Sequence, residues 1–191
     1  MATANVRNIV RLRGRLCINP TDLSTDFPHG GTALGLTRSG VFHLGVKTVL
    51  NEAEEWGGVV SKAYYAGEKP FLAAVLRELD NDALAAIFPN TAAGSVTGDR
   101  VISLTPGDDA ANRAGYDLTS KQAKLLFSPS NPDRHPFILL YYAIPAIQET
   151  AELQLSMAQE LGVGVVWWAG VDSSDRCYKI GRRADLAGLL A

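Results

Sequence analysis

The chain has 191 residues, of which 47% are hydrophobic and 20% are charged, so it can bury a sizeable core and is excluded from the disordered class. Its 18 basic and 20 acidic residues give a formal net charge of -2, which excludes the strongly basic footprint of a tight nucleic-acid binder. At this length we expect a single domain over residues 1–191, with sizeable loops.

The two cysteines and the N-terminal stretch bear on where the chain is kept. Cys17 and Cys177 have no paired spacing typical of zinc or redox motifs, so we interpret them as reduced thiols, with a single disulfide as the alternative. The stretch MATANVRNIVRLRGRL lacks the continuous apolar core of a signal peptide, and no run approaches the roughly 18 apolar residues of a membrane span. We therefore expect a cytoplasmic chain, unless it is exported as part of an assembly.

The first third of the chain alternates strand patterns with turn residues. A half-buried strand with a basic outer face is predicted near the N-terminus, from Val10, Leu12 and Leu16 alternating with Arg11, Arg13 and Arg15. The Pro-, Asp- and Gly-rich stretch NPTDLSTDFPHGG then predicts an extended arm or loop, which we take as residues 19–40. Two further strands are expected around 41–49 and 59–65, joined by turn residues.

The remainder continues this β-rich pattern with short helical interruptions. KPFLAAVLREL is ambiguous between helix and strand, whereas DNDALAAIFP predicts a short helix that Asp80 or Asn81 caps and Pro89 ends. Strands are predicted in VTGDRVISLTPG, KQAKLLFSP, FILLYYAIPAI, 151–158 and 162–171, with a turn at 172–175 and a last helical turn in ADLAGLLA. This series predicts a mainly β chain: an antiparallel sandwich or barrel with one or two short helices and long loops.

Three predicted strands carry adjacent aromatic pairs, Tyr64–Tyr65, Tyr141–Tyr142 and Trp167–Trp168. Because consecutive strand side chains point to opposite faces, one member of each pair should face the core and the other should face outward. Loops or helices of the same chain are one possible cover for the outward members. Neighbouring copies of the chain are the other, since large aromatics are enriched at interfaces.

The stretch HGGTALGLTRSG has two glycines, Gly30 and Gly35, spaced as in a phosphate-binding loop. That loop requires a lysine directly after its last glycine, and Leu36 stands there instead. We therefore predict a backbone bend that leads into the strand near Val41, and no nucleotide site.

Residues that carry chemistry are few and scattered. The histidines are His29, His43 and His135, and a metal site or nucleophile–base pair would need partners that the fold brings to them. The acidic run Glu52, Glu54 and Glu55 is typical of a solvated surface, although paired carboxylates also serve glycosidases. We expect no enzyme, no metal and no cofactor, with a small hydrolase built on a dispersed site as a remaining alternative.

The order of features from Gly30 to Pro89 resembles the tail tube proteins of long-tailed bacteriophages and the related tubes of contractile injection systems. A Gly-Thr segment leads into a strand, then EEWGG, a strand ending in Tyr64–Tyr65, the dipeptide GE, another strand, and a short helix closing with Phe88–Pro89. The later VVWWAGVDSS resembles them more loosely. The resemblance implies that KPFLAAVLREL is a strand.

This resemblance implies a structural virion protein whose subunits form stacked, hexameric rings around a lumen for DNA passage, without an active site or cofactor. It implies contacts with further copies and with tail proteins such as sheath, tape measure, baseplate or terminator, transient passage of DNA, no membrane, and a place in the virion tail after assembly in the host cytoplasm. The candidate interface residues are Tyr64, Tyr65, Tyr141, Tyr142, Trp167, Trp168, and Thr32 and Leu34 in the arm.

Two alternatives stay open at this point. The basic face of Arg7, Arg11, Arg13 and Arg15 departs from what a tube subunit needs, unless acidic groups or solvent meet it. The chain could therefore be a tube-like component at a tail end, such as a baseplate initiator or a tail terminator. A β-sandwich module that binds carbohydrate or a protein partner through exposed aromatics is the second alternative.

Overall fold

The computed structural model describes residues 14–35, 37–53, 59–77, 81–88, 91–93, 100–102, 117–147 and 162–189. The strands are β1 (Gly14–Ile18), β2 (Thr32–Ala33), β3 (Thr37–His43), β4 (Thr48–Ala53), β5 (Val59–Tyr65), β6 (Phe71–Leu76), β7 (Thr91–Ala93), β8 (Arg100–Ile102), β9 (Ala123–Pro129), β10 (Phe137–Ile147), β11 (Val163–Gly170) and β12 (Tyr178–Gly181). The helices are α1 (Asn81–Ile87) and α2 (Arg183–Leu186), with 3-10 turns at Leu118–Lys121 and Ala187–Leu189. The chain is mainly β with short helices, which confirms the predicted fold class.

Eight strands form one antiparallel sheet in the order β2-β1-β9-β10-β11-β6-β3, with β12 as the eighth strand. The long strand β10 has two partners along one edge, because its first half pairs with β12 and its second half pairs with β11. Two separate hairpins, β4–β5 and β7–β8, lie outside this sheet. The second half of β10 therefore connects, through β11 and β6, to the strand β3 that precedes the first hairpin.

The large sheet curves back on itself. Thr37 at the start of β3 donates its hydroxyl to the carbonyl of Gly14 at the start of β1, at 3.4 Å, although four strands separate β3 from β1 in the sheet order. Phe42 of β3 packs edge-to-face on Tyr178 of β12, with ring centroids 5.5 Å apart. These contacts between distant strands give the sheet a concave and a convex face.

The concave face encloses the main hydrophobic core. Fourteen buried residues form it: Leu16, Ile18, Leu34, Leu72, Ala74, Leu76, Ala83, Ile87, Leu125, Leu140, Ala143, Val163, Val165 and Trp167. Helix α1 contributes Ala83 and Ile87, as its apolar face predicts, and Phe88 packs beside them. The short helix therefore covers part of the concave face.

The convex face is covered over β1, β9 and the first half of β10. The residues buried there are Cys17, Leu23, Leu126, Phe137, Leu139, Tyr141 and Leu186, with Phe27 against them. Leu23 and Phe27 come from the segment 19–31, here called the covering loop, and Leu186 comes from α2. Loops and a helix of the same chain thus cover this apolar surface, and no neighbouring copy is needed there.

The predicted extended arm or loop over residues 19–40 is a loop over residues 19–31, but it does not extend as an arm, and strands β2 and β3 begin within its range. The covering loop is compact, since the carbonyl of His29 accepts hydrogen bonds from the amides of Thr21, at 2.9 Å, and Asp22, at 3.1 Å. Residues 37–43 are strand β3. Two buried side chains, Leu23 and Leu34, explain the difference, because they hold the segment against its own sheet.

Several other sequence predictions can be compared directly with the structure. KPFLAAVLREL contains strand β6, so the strand implied by the resemblance is confirmed against its helix-like composition. The bend at HGGTALG is confirmed, because Gly30 and Gly35 have φ angles of 73° and 76°. The strand predicted over 41–49 is wrong in extent, since β3 ends at His43 and β4 begins at Thr48. The strand predicted over 151–158 lies outside the described residues.

Both cysteines are free thiols, as the first interpretation had it. Cys17 is fully buried on the convex face, and this burial raises the pKa of its thiol to about 12. Cys177 is half-buried. The alternative of a disulfide between them is wrong for this structure.

Leu125→Ala tests the concave core. Leu125 is fully buried on β9, so we expect the free energy of unfolding to fall by about 2–5 kcal/mol through lost burial and a residual cavity. Urea denaturation followed by circular dichroism measures it. Val171→Ala, at a site 59% exposed, is the control and should cost below about 0.5 kcal/mol. Equal losses in the two variants would contradict this core.

Candidate assembly surface

The paired strands β4 (Thr48–Ala53) and β5 (Val59–Tyr65), here called the β4–β5 hairpin, are a two-stranded ribbon that continues the β3–β6 pair. The amide of Lys69 donates to the carbonyl of Gly45, at 3.2 Å, and the amide of Lys47 donates to that of Gly67, at 2.9 Å. These bonds bridge the gap between the last β3–β6 pair, His43 with Phe71, and the first hairpin pair, Thr48 with Tyr65. The hairpin therefore extends beyond the large sheet by roughly 20 Å, at about 3.3 Å per strand residue.

Apolar side chains lie on both faces of this hairpin. Val49 is opposite Tyr64 on one face, and Leu50 is opposite Ala63 on the other. Each side chain that the structure describes in β4 and β5 is exposed. The large apolar ones, with their exposed fractions, are Val49 52%, Leu50 52%, Val60 47%, Tyr64 49% and Tyr65 67%. A two-stranded hairpin alone is marginally stable in water, so this ribbon depends on its connection to the β3–β6 pair and on any further packing against its faces.

The convex face of the sheet next to the hairpin carries a row of rings. The register aligns Ile144, Trp168, Phe71 and His43 across four neighbouring strands. The His43 ring stacks on Phe71, and Phe71 lies against Trp168, each with centroids 5.0 Å apart. The ammonium of Lys69 lies 4.8 Å from the Trp168 ring centroid, and Trp168 keeps 37% of its surface exposed. This row extends the apolar surface from the hairpin base onto the sheet.

A hydrogen bond connects the base of the hairpin to strand β12. The hydroxyl of Tyr178 on β12 donates to Oε2 of Glu68, which lies between β5 and β6, at 2.6 Å. This hydrogen bond and partial burial, with the charge of Glu68, raise the pKa of Tyr178 to about 12. The hairpin is thus anchored through both the backbone ladder and a side-chain contact.

The predicted interface residues divide into exposed and buried groups. Tyr64, Tyr65 and Trp168 are exposed, whereas Leu34, Tyr141 and Trp167 are buried within the chain. The other two, Thr32 and Tyr142, are half-buried. The structure brings Trp168 to the sheet surface beside the base of the hairpin that bears Tyr64 and Tyr65. An interface role for these exposed residues stays a prediction.

Two of the three aromatic pairs differ from the predicted inward–outward arrangement. Trp167 is buried and Trp168 exposed, as alternation predicts. Tyr141 and Tyr142 instead lie on the same convex face, because a register shift between Leu140 and Ala143 places two residues in succession there. Tyr64 and Tyr65 do face opposite sides, but neither side faces a core.

Sequence reasoning missed the apolar residues of β4 and β5 other than the tyrosines. Val49, Leu50 and Val60 were part of strand patterns without a separate role. The signal is the pairing of TVLNEA with VVSKAYY, in which neither strand shows the strict alternation of a half-buried sheet. Such two-sided apolar strands are typical of ribbons that pack on both faces.

No protein-family model matches the chain, and no curated protein matches it either. Of the helices that the structure describes, none is long and apolar enough to span a membrane. Within the described ranges, no group of three or more His, Cys, Asp or Glu side chains is placed to hold a metal ion.

Tyr178→Phe tests the anchor of the hairpin. Loss of the bond to Glu68 should lower the free energy of unfolding by about 1 kcal/mol at neutral pH. Because folding raises this pKa, the contribution is complete below the ordinary tyrosine pKa of about 10 and is lost as pH rises towards 12. The difference between wild type and variant should therefore narrow above pH 10, measured by urea denaturation across pH.

Glu68→Gln is the matched variant, since it keeps an acceptor but removes the charge. Ultraviolet absorbance titration should then show that the tyrosine ionising near pH 12 in the wild type ionises closer to its ordinary range. An unchanged titration would contradict the contact.

Proposed function

We propose that this protein is a structural subunit that assembles with copies of itself, in the manner of a phage tail tube protein. The observation that carries the proposal is the β4–β5 hairpin, which exposes Val49 and Tyr64 on one face and Leu50 and Tyr65 on the other. Apolar surface of this kind is normally covered by a partner, because its exposure to water is unfavourable by about 25 cal/mol per Å².

A second feature that supports self-assembly is the edge strand β3. It ends the sheet order, so its outer backbone groups have no strand partner among the described residues. Exposed edge strands readily pair with further strands, and Val41 on β3 is 62% exposed. The edge strand β3 and the projecting hairpin lie at one end of the sheet. Together they give each copy of the chain two surfaces through which to contact a neighbouring copy. Repeated around an axis, such contacts close a ring.

The charge of the chain is compatible with a conduit for DNA. A net charge of -2 leaves no excess of cations to hold passing phosphates, which a strongly basic lumen would do. Arg15 belongs to the basic face, which departs from what a tube subunit needs. Its guanidinium lies 5.4 Å from the Phe27 ring centroid. Its contact within the chain reduces the conflict with a tube subunit.

The carbohydrate-binding alternative is less well supported. A sugar-binding platform needs aromatic rings that present one surface together. Tyr64 and Tyr65 are consecutive strand residues and so point to opposite faces of the ribbon. The pair therefore serves better to pack between two neighbours than to stack on one sugar.

A double variant, Tyr64→Thr with Tyr65→Thr, tests the proposal. Threonine keeps the β-propensity of the strand and removes both rings, so the hairpin should still form while assembly is lost. We expect wild-type protein to give rings or tubes with a central hole by negative-stain electron microscopy and a multiple of 20.4 kDa by light scattering. The double variant should be monomeric at the same concentration.

Ile180→Thr is the control, because Ile180 is also an exposed strand residue, at 43%, but lies on β12 and is not part of the hairpin. It should assemble as the wild type does. A wild-type monomer at high concentration would contradict self-assembly. Equal assembly by the double variant and the wild type would instead exclude the hairpin as the contact.

A further inference from the structure

The fold brings together a serine and a histidine that lie 99 residues apart in the chain. Nε2 of His29, on the covering loop, lies 2.9 Å from Oγ of Ser128, on β9. Both residues are buried, with exposed fractions of 4% and 9%. Nδ1 of His29 lies 2.9 Å from the carbonyl oxygen of Thr25. The hydroxyl of Ser128, the imidazole of His29 and the carbonyl of Thr25 thus form one chain of hydrogen bonds.

The carbonyl of Thr25 determines the tautomer of His29. A carbonyl only accepts, so Nδ1 must carry the proton that it shares with Thr25. In the neutral ring Nε2 is then unprotonated and accepts the hydrogen of the Ser128 hydroxyl. Burial lowers the pKa of His29, which favours this neutral form at physiological pH. The order of groups is that of a nucleophile, its general base and the group that orients the base.

This pair borders a cavity of about 300 Å³ between the covering loop and β9. Arg15 and Arg183 line the cavity together with His29, Ser128 and Phe27. Arg15 is the direct cross-strand neighbour of Ser128, so the two side chains leave the sheet on the same face. The lining also includes Asp26, so arginines exceed carboxylates there and favour a ligand that carries negative charge.

We propose that Ser128 and His29 form a nucleophile–base pair that reacts with small esters bearing a carboxylate or another anionic group. Oγ of Ser128 attacks the ester carbonyl carbon while its proton passes to Nε2 of His29. The alcohol leaves with that proton, and the acyl group stays on Oγ. Water then attacks the acyl carbon and gives a proton to Nε2, which returns it to Ser128 as the carboxylic acid leaves.

Arg15 and Arg183 have different parts in this reaction. Arg183 donates from Nη2 to the carbonyl of Thr25, at 2.9 Å, and so holds the same acceptor that orients His29. It is a positioning residue. Arg15 is exposed at its end of the cavity and is the cation available to the anionic group of the ester. This activity is independent of the proposed self-assembly.

The first test uses the native chain with phenylmethanesulfonyl fluoride, followed by peptide mass spectrometry. We expect one adduct on the peptide that contains Ser128. Hydrolysis of the mono-4-nitrophenyl ester of glutaric acid, compared with the neutral 4-nitrophenyl acetate, then reports the preference for an anionic substrate. Ser128→Ala and His29→Asn should each lower the labelling and ester hydrolysis by at least about 100-fold. Asparagine suits position 29, where φ is 60°.

Ser174→Ala is the matched control, since Ser174 is an exposed serine that does not line the cavity. It should react within about twofold of the wild type. Arg15→Gln should reduce the preference for the anionic ester, measured as the ratio of the two hydrolysis rates. Circular dichroism verifies that each variant is folded.

The pH profile separates a base from a merely structural histidine. Labelling should fall only at a pH below the ordinary range of histidine, because burial lowers the pKa of His29 and a protonated His29 cannot accept from Ser128. The charges that act on His29 are Asp22 and Asp26, which favour its protonation, and Arg183, which opposes it. Absence of an adduct on native Ser128, or an adduct formed equally fast by His29→Asn, would overturn the proposal and leave a structural hydrogen bond.

Discussion

Strand β10 is apolar along both faces, and the rest of the fold depends on covering it. Its first half buries Leu140 in the concave core and Leu139 on the convex face, both with no exposed surface. Burying such a side chain contributes roughly 1.5–3 kcal/mol, so both layers are strongly favoured. The concave side is covered by the curvature of the sheet and by α1. The convex side is covered by the loop 19–31 and α2, which explains why that loop folds back.

The bulge in β10 divides the convex face into two regions. Before it, Phe137, Leu139 and Tyr141 lie beneath the covering loop and α2. After it, Ile144 pairs with Trp168 and continues the row of rings through Phe71 to His43. The covered region holds the His29–Ser128 pair, and the other region leads to the exposed hairpin. The proposed chemistry and the proposed assembly therefore use separate parts of one face.

Local pattern was sufficient to predict apolar or β-branched strands bounded by turn residues, such as β5, β9 and β10, and helix α1. Local pattern was insufficient where contacts between distant segments determine the conformation. Nothing near Leu140 indicates a bulge, since two adjacent tyrosines fit a regular strand equally well. The covering loop has the composition of a solvated arm, and contacts with distant residues hold it on the sheet, among them the burial of Leu23 and the packing of Phe27. The contact of His29 with Ser128 requires the same docking and has no local signal.

The conformation of His29 connects the loop to its chemistry. Its φ of 60° lies in the left-handed region, which costs a non-glycine residue roughly 1–2 kcal/mol, and the following residue is already a glycine. A histidine at this position makes the fold less stable than a glycine or asparagine would, unless interactions of its ring offset that cost. The ring does so through two hydrogen bonds, one to Thr25 within the loop and one to Ser128 on the sheet. An aliphatic side chain at this position would fill space without bonding either partner. Both ring nitrogens are thus bonded at this strained position, as the proposed oriented base needs and as a space-filling residue does not.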